Sequence, residues 1–125
     1  EKFRDLCDKI NSTGIYLYSA CKEDEVENDE NDGAPSIARF ECRQFPRFSG
    51  YSEDPATGIA AAALAASLRV RGIGEELYEF YQGTAMGRSS QIRIRFDRSV
   101  NGEIDPSKIY CSGLVEILSR ETEKI

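Results

Sequence analysis

Residues 53–68 read EDPATG followed by IAAAALAASL, a polar loop that runs directly into an apolar segment. The order of Asp54 and Pro55 predicts a helix start, because a carboxylate can cap first-turn N–H groups and proline suits the first helical position. Six of the ten residues in the apolar segment are alanine and only one is polar. We therefore expect a thin central helix that is buried on all sides and wrapped by strands.

The N-terminus of this helix is a candidate binding site. Unpaired backbone N–H groups and the positive end of the helix dipole favour a carboxylate or phosphate there. The dipole contributes roughly 0.3–2 kcal/mol. The loop and the first turn are consequently expected to face a ligand.

The rest of the chain predicts one short amphipathic helix and several strands. Apolar residues recur at helical spacing between Phe3 and Ile10, which indicates a helix of about ten residues. Together with the central helix, these segments predict an α+β domain spanning residues 1–125, with strands wrapped around the helix. The predicted strands are 15–21, 36–43, 77–82, 91–97 and 109–118, and Asn101-Gly102 predicts a hairpin turn.

Composition excludes several classes of function. The chain has 125 residues and a net charge of −6, which argues against nucleic acid as a partner. Its longest apolar run falls short of the roughly 18 residues of a membrane span, so no membrane partner is expected. The chain has no histidine, which excludes Cys-His and Ser-His-Asp catalysis within it.

The cysteines indicate a compartment rather than a metal site. Cys7, Cys21, Cys42 and Cys111 are widely spaced, without a C-x-x-C pair or any histidine. We expect reduced thiols in a cytoplasmic protein and no bound metal. A calcium loop in the acidic segment 22–33 fails on spacing, because it places Arg39 where a bidentate glutamate is required. That segment is predicted to be a solvated loop.

Three segments together resemble the PhzF (phenazine biosynthesis-like) family in order and spacing. They are ARF through FP at 38–46, EDPATG with its alanine run at 53–68, and QG through MGRSS at 82–90. The resemblance covers roughly residues 15–115 and only the second half of such a protein. It implies that an N-terminal domain is absent from this sequence.

The resemblance implies a diaminopimelate-epimerase-like fold, in which each of two halves wraps a mixed, barrel-like sheet around a central helix. The two halves enclose a cleft, and the central helices point their N-termini into it. Such proteins carry out cofactor-independent isomerisation or epimerisation beside a carboxylate. On this basis Asp54 is the catalytic residue here, opposite a glutamate of the missing domain. The implied partners are that domain and a small carboxylate-bearing metabolite. The implied carboxylate-binding residues are Thr57, Gly58 and Ile59, and the implied cleft-lining residues are Gln82, Gly83 and Arg88.

Alternatives stay open at several of these positions. Asp54 is also consistent with a plain helix cap, and Arg88 with a structural ion pair. The family commonly has serine where this chain has Ile59, a change that removes a hydroxyl donor and makes the spot apolar. The chain is therefore either half of an interdomain acid–base site or an inactive fragment that acts as an interaction module. In either case an uncovered apolar face predicts a homo-oligomer.

Overall fold

The structure, a computed structural model, describes residues 2–21, 36–48 and 52–113. The acidic segment and residues 114–118 of the predicted last strand lie outside these ranges. The elements in chain order are α1 (Lys2–Ile10), β1 (Gly14–Ala20), β2 (Ile37–Pro46), α2 (Gly58–Val70), β3 (Leu77–Gln82), a 3-10 turn (Thr84–Met86), β4 (Ser90–Arg98) and β5 (Ile104–Gly113).

The strands form one mixed sheet in the order β1-β2-β3-β4-β5. Strands β2 and β3 are parallel, and the other three pairs are antiparallel. Parallel neighbours need a crossover connection, and α2 supplies it between β2 and β3. The predicted α+β class and mixed sheet are confirmed. The described part of the sheet is open, with β1 and β5 at its two edges, and is not closed into a barrel.

The last strand begins earlier than the sequence pattern predicts. Pairing with β4 starts at Ile104, opposite Arg98, rather than at Ile109. The physical reason is the tight hairpin turn, in which Gly102 takes a φ of 82° and returns the chain to β4 at once.

Helix α2 is buried along one side only. Its buried residues Ala61, Ala65 and Leu68 pack with the apolar residues of the sheet. Ile59 and Val70 are each 88% exposed. The expectation of burial on all sides is therefore wrong for the described chain, because an open sheet covers one side of a helix.

The start of α2 also differs from the expectation. The helix begins at Gly58 with Thr57 at the N-cap position, so Pro55 lies in the loop and not at the first helical position. Asp54 does not cap the helix, because its carboxylate accepts from Ala56 N and Thr57 Oγ1 instead. Hydrogen bonds inside the loop thus replace the predicted cap.

Candidate functional site

The loop that precedes α2 is anchored to β2. The backbone N–H of Asp54 donates to the carbonyl of Gln44 over 3.0 Å, which makes an isolated β-bridge. Arg43 holds Glu53 through two hydrogen bonds of 2.8 and 2.9 Å. The Arg43 guanidinium lowers the pKa of the Glu53 carboxyl below its usual value. The first residues of the loop are thus fixed from the sheet side.

The half-buried Asp54 carboxylate has a defined orientation. The hydroxyl of Thr57 donates to Asp54 Oδ2 over 2.6 Å, and the backbone N–H of Ala56 donates to Oδ1 over 3.3 Å. A carboxylate offers about four acceptor positions. These two contacts from the described residues leave acceptor positions on Asp54 for a further hydrogen bond.

Gln82, the last residue of β3, binds the loop through its side chain. Its side chain is 0% exposed. The oxygen Oε1 accepts from Thr57 N at 3.2 Å and from the Tyr16 hydroxyl at 3.0 Å. The nitrogen Nε2 donates to the Asp54 carbonyl at 2.8 Å and to Thr57 Oγ1 at 2.9 Å. All the hydrogen-bonding groups of this buried amide are therefore satisfied.

Gly83 allows the turn after β3 to touch the loop. Its φ is +81°, and an added Cβ would lie 2.3 Å from the Arg88 carbonyl and 3.0 Å from the Pro55 carbonyl. Only glycine fits this position without a shift of backbone. Arg88 itself contributes a backbone N–H that donates to the Gly83 carbonyl over 3.0 Å, and its side chain is exposed.

The first turn of α2 stands beside this loop. Thr57 has an extended backbone and its side chain does not cap the helix. First-turn N–H groups, those of Gly58 and Ile59 among them, have no intrahelical acceptor. No acidic residue occupies this turn. The Cys111 thiol of β5 lies against Gly58, 3.3 Å from where a Cβ would stand.

The structure brings together most of the residues that the sequence singled out. Asp54, Thr57 and Gln82 form one hydrogen-bonded cluster, and Gly83 packs against the same loop. Gly58 and Ile59 follow directly in the first turn of α2. Arg88 joins through its backbone, and no described residue forms an ion pair with its side chain.

Two further residues at this site are not predicted from the sequence: Tyr16, which joins the hydrogen-bonded cluster, and Cys111, which lies against Gly58. Tyr16 lies 66 positions from Gln82 in the chain and carries an ordinary strand pattern. Burial is the main reason that its pKa is raised well above the ordinary value. Its hydroxyl therefore keeps its hydrogen and remains a donor at neutral pH. No local signal in the sequence marks either residue.

Among the residues that the structure describes there is no group of three or more histidine, cysteine, aspartate or glutamate side chains able to hold a metal ion. Nor is any helix of the described chain long and apolar enough to span a bilayer.

These features define an α+β domain with a carboxylate-bearing loop at the amino end of its crossover helix. Over residues 7–115 the chain matches the PhzC-PhzF family, described as phenazine biosynthesis-like protein. The match covers most of the sequence, and the chain belongs to this family. The predicted resemblance is thereby confirmed, and membership suggests an isomerase-like domain. A search of curated proteins finds no match.

Proposed function

We propose that this chain is the C-terminal domain of a cofactor-independent isomerase or epimerase and supplies half of an interdomain acid–base site. The observation that carries the proposal is the pinned Asp54 carboxylate beside the first turn of α2. Family membership supports the class of reaction. The substrate is a small molecule with a carboxylate next to the carbon that exchanges its proton.

In this proposal the helix start binds the substrate carboxylate. The N–H groups of Gly58 and Ile59 donate to its oxygens, and the helix dipole favours the negative charge. Removing a proton from the neighbouring carbon shifts electron density onto those oxygens. Hydrogen-bond donors already in place there stabilise the developing charge without reorganisation.

Asp54 is proposed to move the proton. As a carboxylate it takes a proton from the substrate carbon. As a carboxylic acid it returns a proton, so that protons balance over a turnover. A shift of a double bond can be completed by Asp54 alone, whereas inversion of configuration needs a second acid–base group on the other face of the substrate. In the proposal that group belongs to another domain of the full-length protein.

The test is proton exchange by the full-length protein in D₂O. Small amino, hydroxy and cyclic carboxylic acids are incubated with the protein, and NMR records deuterium entering the carbon beside the carboxylate. We expect Asp54→Asn to reduce exchange on any active compound by at least about 100-fold. The matched control is Asp105→Asn, which changes a carboxylate bound to Ser107 in β5. Equal exchange by the Asp54→Asn and unaltered proteins would exclude Asp54 as the proton carrier.

A second candidate function is an interaction module without activity, and the exposed apolar side of α2 favours it. Ile59 and Val70 are both 88% exposed, and no charged residue lies between them except Arg69. If this side binds a second copy, sedimentation velocity of the full-length protein shows association that grows with concentration. Ile59→Ser with Val70→Ser then weakens it, while Val100→Ser, at a fully exposed turn residue, does not.

A further inference from the structure

We propose that Gln82 is a positioning residue, which sets the direction of the Asp54 carboxylate through Thr57 and is itself held by Tyr16. The inference rests on the proposed role of Asp54. Its basis is the geometry of a single buried amide that contacts both the main chain and the side chains of the loop.

The orientation of the amide is fixed by its partners. The backbone N–H of Thr57 can only donate, so the atom facing it at 3.2 Å must be Oε1. The carbonyl of Asp54 can only accept, so the atom facing it at 2.8 Å must be Nε2. In a flipped amide, Nε2 would face the N–H of Thr57, a donor against a donor, and Oε1 would face the carbonyl of Asp54, an acceptor against an acceptor.

The orientation of the amide then decides the direction of the Thr57 hydroxyl. Gln82 Nε2 lies 2.9 Å from Thr57 Oγ1 and has only hydrogens to offer, so the hydroxyl oxygen accepts. The one hydrogen of the hydroxyl is left to point at Asp54 Oδ2, 2.6 Å away. Thr57 is therefore a directed donor to the carboxylate rather than a freely rotating group.

The same amide also holds the loop backbone on both sides of this contact. It binds the carbonyl of Asp54 and the N–H of Thr57, which are the first and last residues of segment 54–57. Misplacing a reacting group by about 1 Å costs up to about 100-fold in rate. A buried side chain that fixes both the loop and the hydroxyl is thus suited to keep Asp54 aligned.

Tyr16 keeps Gln82 in place from the sheet. Its hydroxyl donates to Oε1 at 3.0 Å, and it comes from the edge strand β1, far from the loop in sequence. Since the tyrosine stays protonated, it supplies this donor throughout the neutral pH range. The chain of bonds runs from Tyr16 through Gln82 and Thr57 to Asp54.

The first experiment is hydrogen exchange of the full-length protein, which needs no substrate. Gln82→Met is compared with Ile94→Ala, a change in the core of β4 outside the cluster that also lowers the global stability. We expect the amides of Asp54, Ala56 and Thr57 to exchange at least about tenfold faster in Gln82→Met and to stay within about twofold of the unaltered protein in Ile94→Ala, because local opening of the loop does not break the packing of Ile94. Unchanged loop exchange in Gln82→Met would overturn the proposal. Equal acceleration of the loop amides in both variants would also overturn it, since that is the signature of a general loss of stability.

The second experiment separates alignment from binding. On a compound that exchanges deuterium, Thr57→Val should lower kcat by about 10- to 100-fold with KM within about threefold, and Thr57→Ser should restore kcat. A kcat that Thr57→Val leaves unchanged would contradict the directed hydroxyl. Should Gln82→Met not fold, Tyr16→Phe takes its place, with a smaller acceleration expected in the same loop amides.

The two experiments fail in different ways. If the unaltered protein exchanges no compound, the proposed function fails, while loop exchange in Gln82→Met still decides whether the amide holds the loop. If the unaltered protein is active, but Gln82→Met keeps its loop exchange and Thr57→Val keeps its kcat, the proposed function stands and the positioning role of Gln82 is wrong.

Discussion

Strand β3 carries two buried polar side chains that point to opposite faces of the sheet. Their hydrogen bonds are made to different kinds of partner. Gln82 is neutral, 0% exposed, and bound to the loop before α2 and to Tyr16. Glu79 is 3% exposed and lies on the other face, where it binds charged residues of both neighbouring strands.

The Glu79 cluster follows from strand register. Arg39 of β2 and Arg93 of β4 stand directly opposite Glu79 and lie 3.1 and 2.8 Å from its oxygens. The Tyr81 hydroxyl adds a bond of 2.8 Å. Burial by itself raises the pKa of the Glu79 carboxyl, but the hydrogen bonds from Tyr81, Arg39 and Arg93 outweigh it and leave that pKa lowered.

The two clusters differ in whether the partners of the central residue can bind water when that residue is replaced. The side chains of Arg39 and Arg93 are 46% and 48% exposed and can bind water instead. The partners of Gln82 are half-buried loop groups and a half-buried tyrosine hydroxyl, which have less access to water. A neutral residue in a closed cluster is therefore expected to matter more for stability than a charged residue beneath open arginines.

The largest effect is expected at Gln82. Gln82→Met leaves the Asp54 carbonyl and the Thr57 N–H without their partner, at about 1–3 kcal/mol per group, so the free energy of unfolding should fall by about 3–5 kcal/mol. Urea denaturation followed by far-UV circular dichroism measures this loss. A loss smaller than that of Glu79→Met would reverse the comparison.

Gly83 tests whether the turn after Gln82 is equally closed. Gly83→Ala should cost about 2–4 kcal/mol, because a positive φ adds about 1–2 kcal/mol and the new methyl meets the Arg88 and Pro55 carbonyls. Gly87→Ala is the matched control, with a φ of +70° and no atom within 4 Å of the added Cβ. It should cost only the backbone part. Equal unfolding free energies for the two variants would show that the turn can move away from the loop.

A smaller effect is expected on the outer face. Glu79→Met should lower the free energy of unfolding by about 1–2 kcal/mol, since the two arginines regain water. Chemical denaturation of Glu79→Met and Gln82→Met under the same conditions compares the two losses of unfolding free energy directly. A cost above about 4 kcal/mol would mean that the arginines remain trapped, and the two clusters would then be alike.

The smallest effect is a pH dependence of stability that Glu79 contributes and the neutral Gln82 does not. Because the folded-state pKa of Glu79 lies below the ordinary 4.5, its ionised form stabilises the fold above that pH. That contribution is lost as pH falls through the lowered folded pKa. The stability gap between the unaltered protein and Glu79→Gln should therefore be full above pH 4.5 and shrink in more acidic solution. A gap that stays constant in a series of urea titrations down to pH 3 would contradict the assignment.

Local patterns in the sequence were sufficient for most elements of the fold. The alternation of Ile92, Ile94 and Phe96 with Arg93 and Arg95 predicts β4, and the hairpin signal predicts its turn. The alanine-rich segment predicts α2, because helix propensity and hydrophobicity are properties of consecutive residues. The loop of residues 53–58 is likewise predicted as a candidate site from its own residues, and this role stays a prediction.

Tertiary structure decided what local patterns do not contain. One side of α2 is exposed because the described strands form an open sheet, a fact of strand order that composition cannot express. Asp54 was predicted to cap the helix, yet its carboxylate turns to Thr57 because Gln82 fixes that hydroxyl from another strand. The sequence by itself thus determined most of the helices and strands and the position of the candidate loop. Contacts between distant residues such as Tyr16 and Gln82 determined how the carboxylate is held, because such bonds depend on packing rather than on neighbours in the chain.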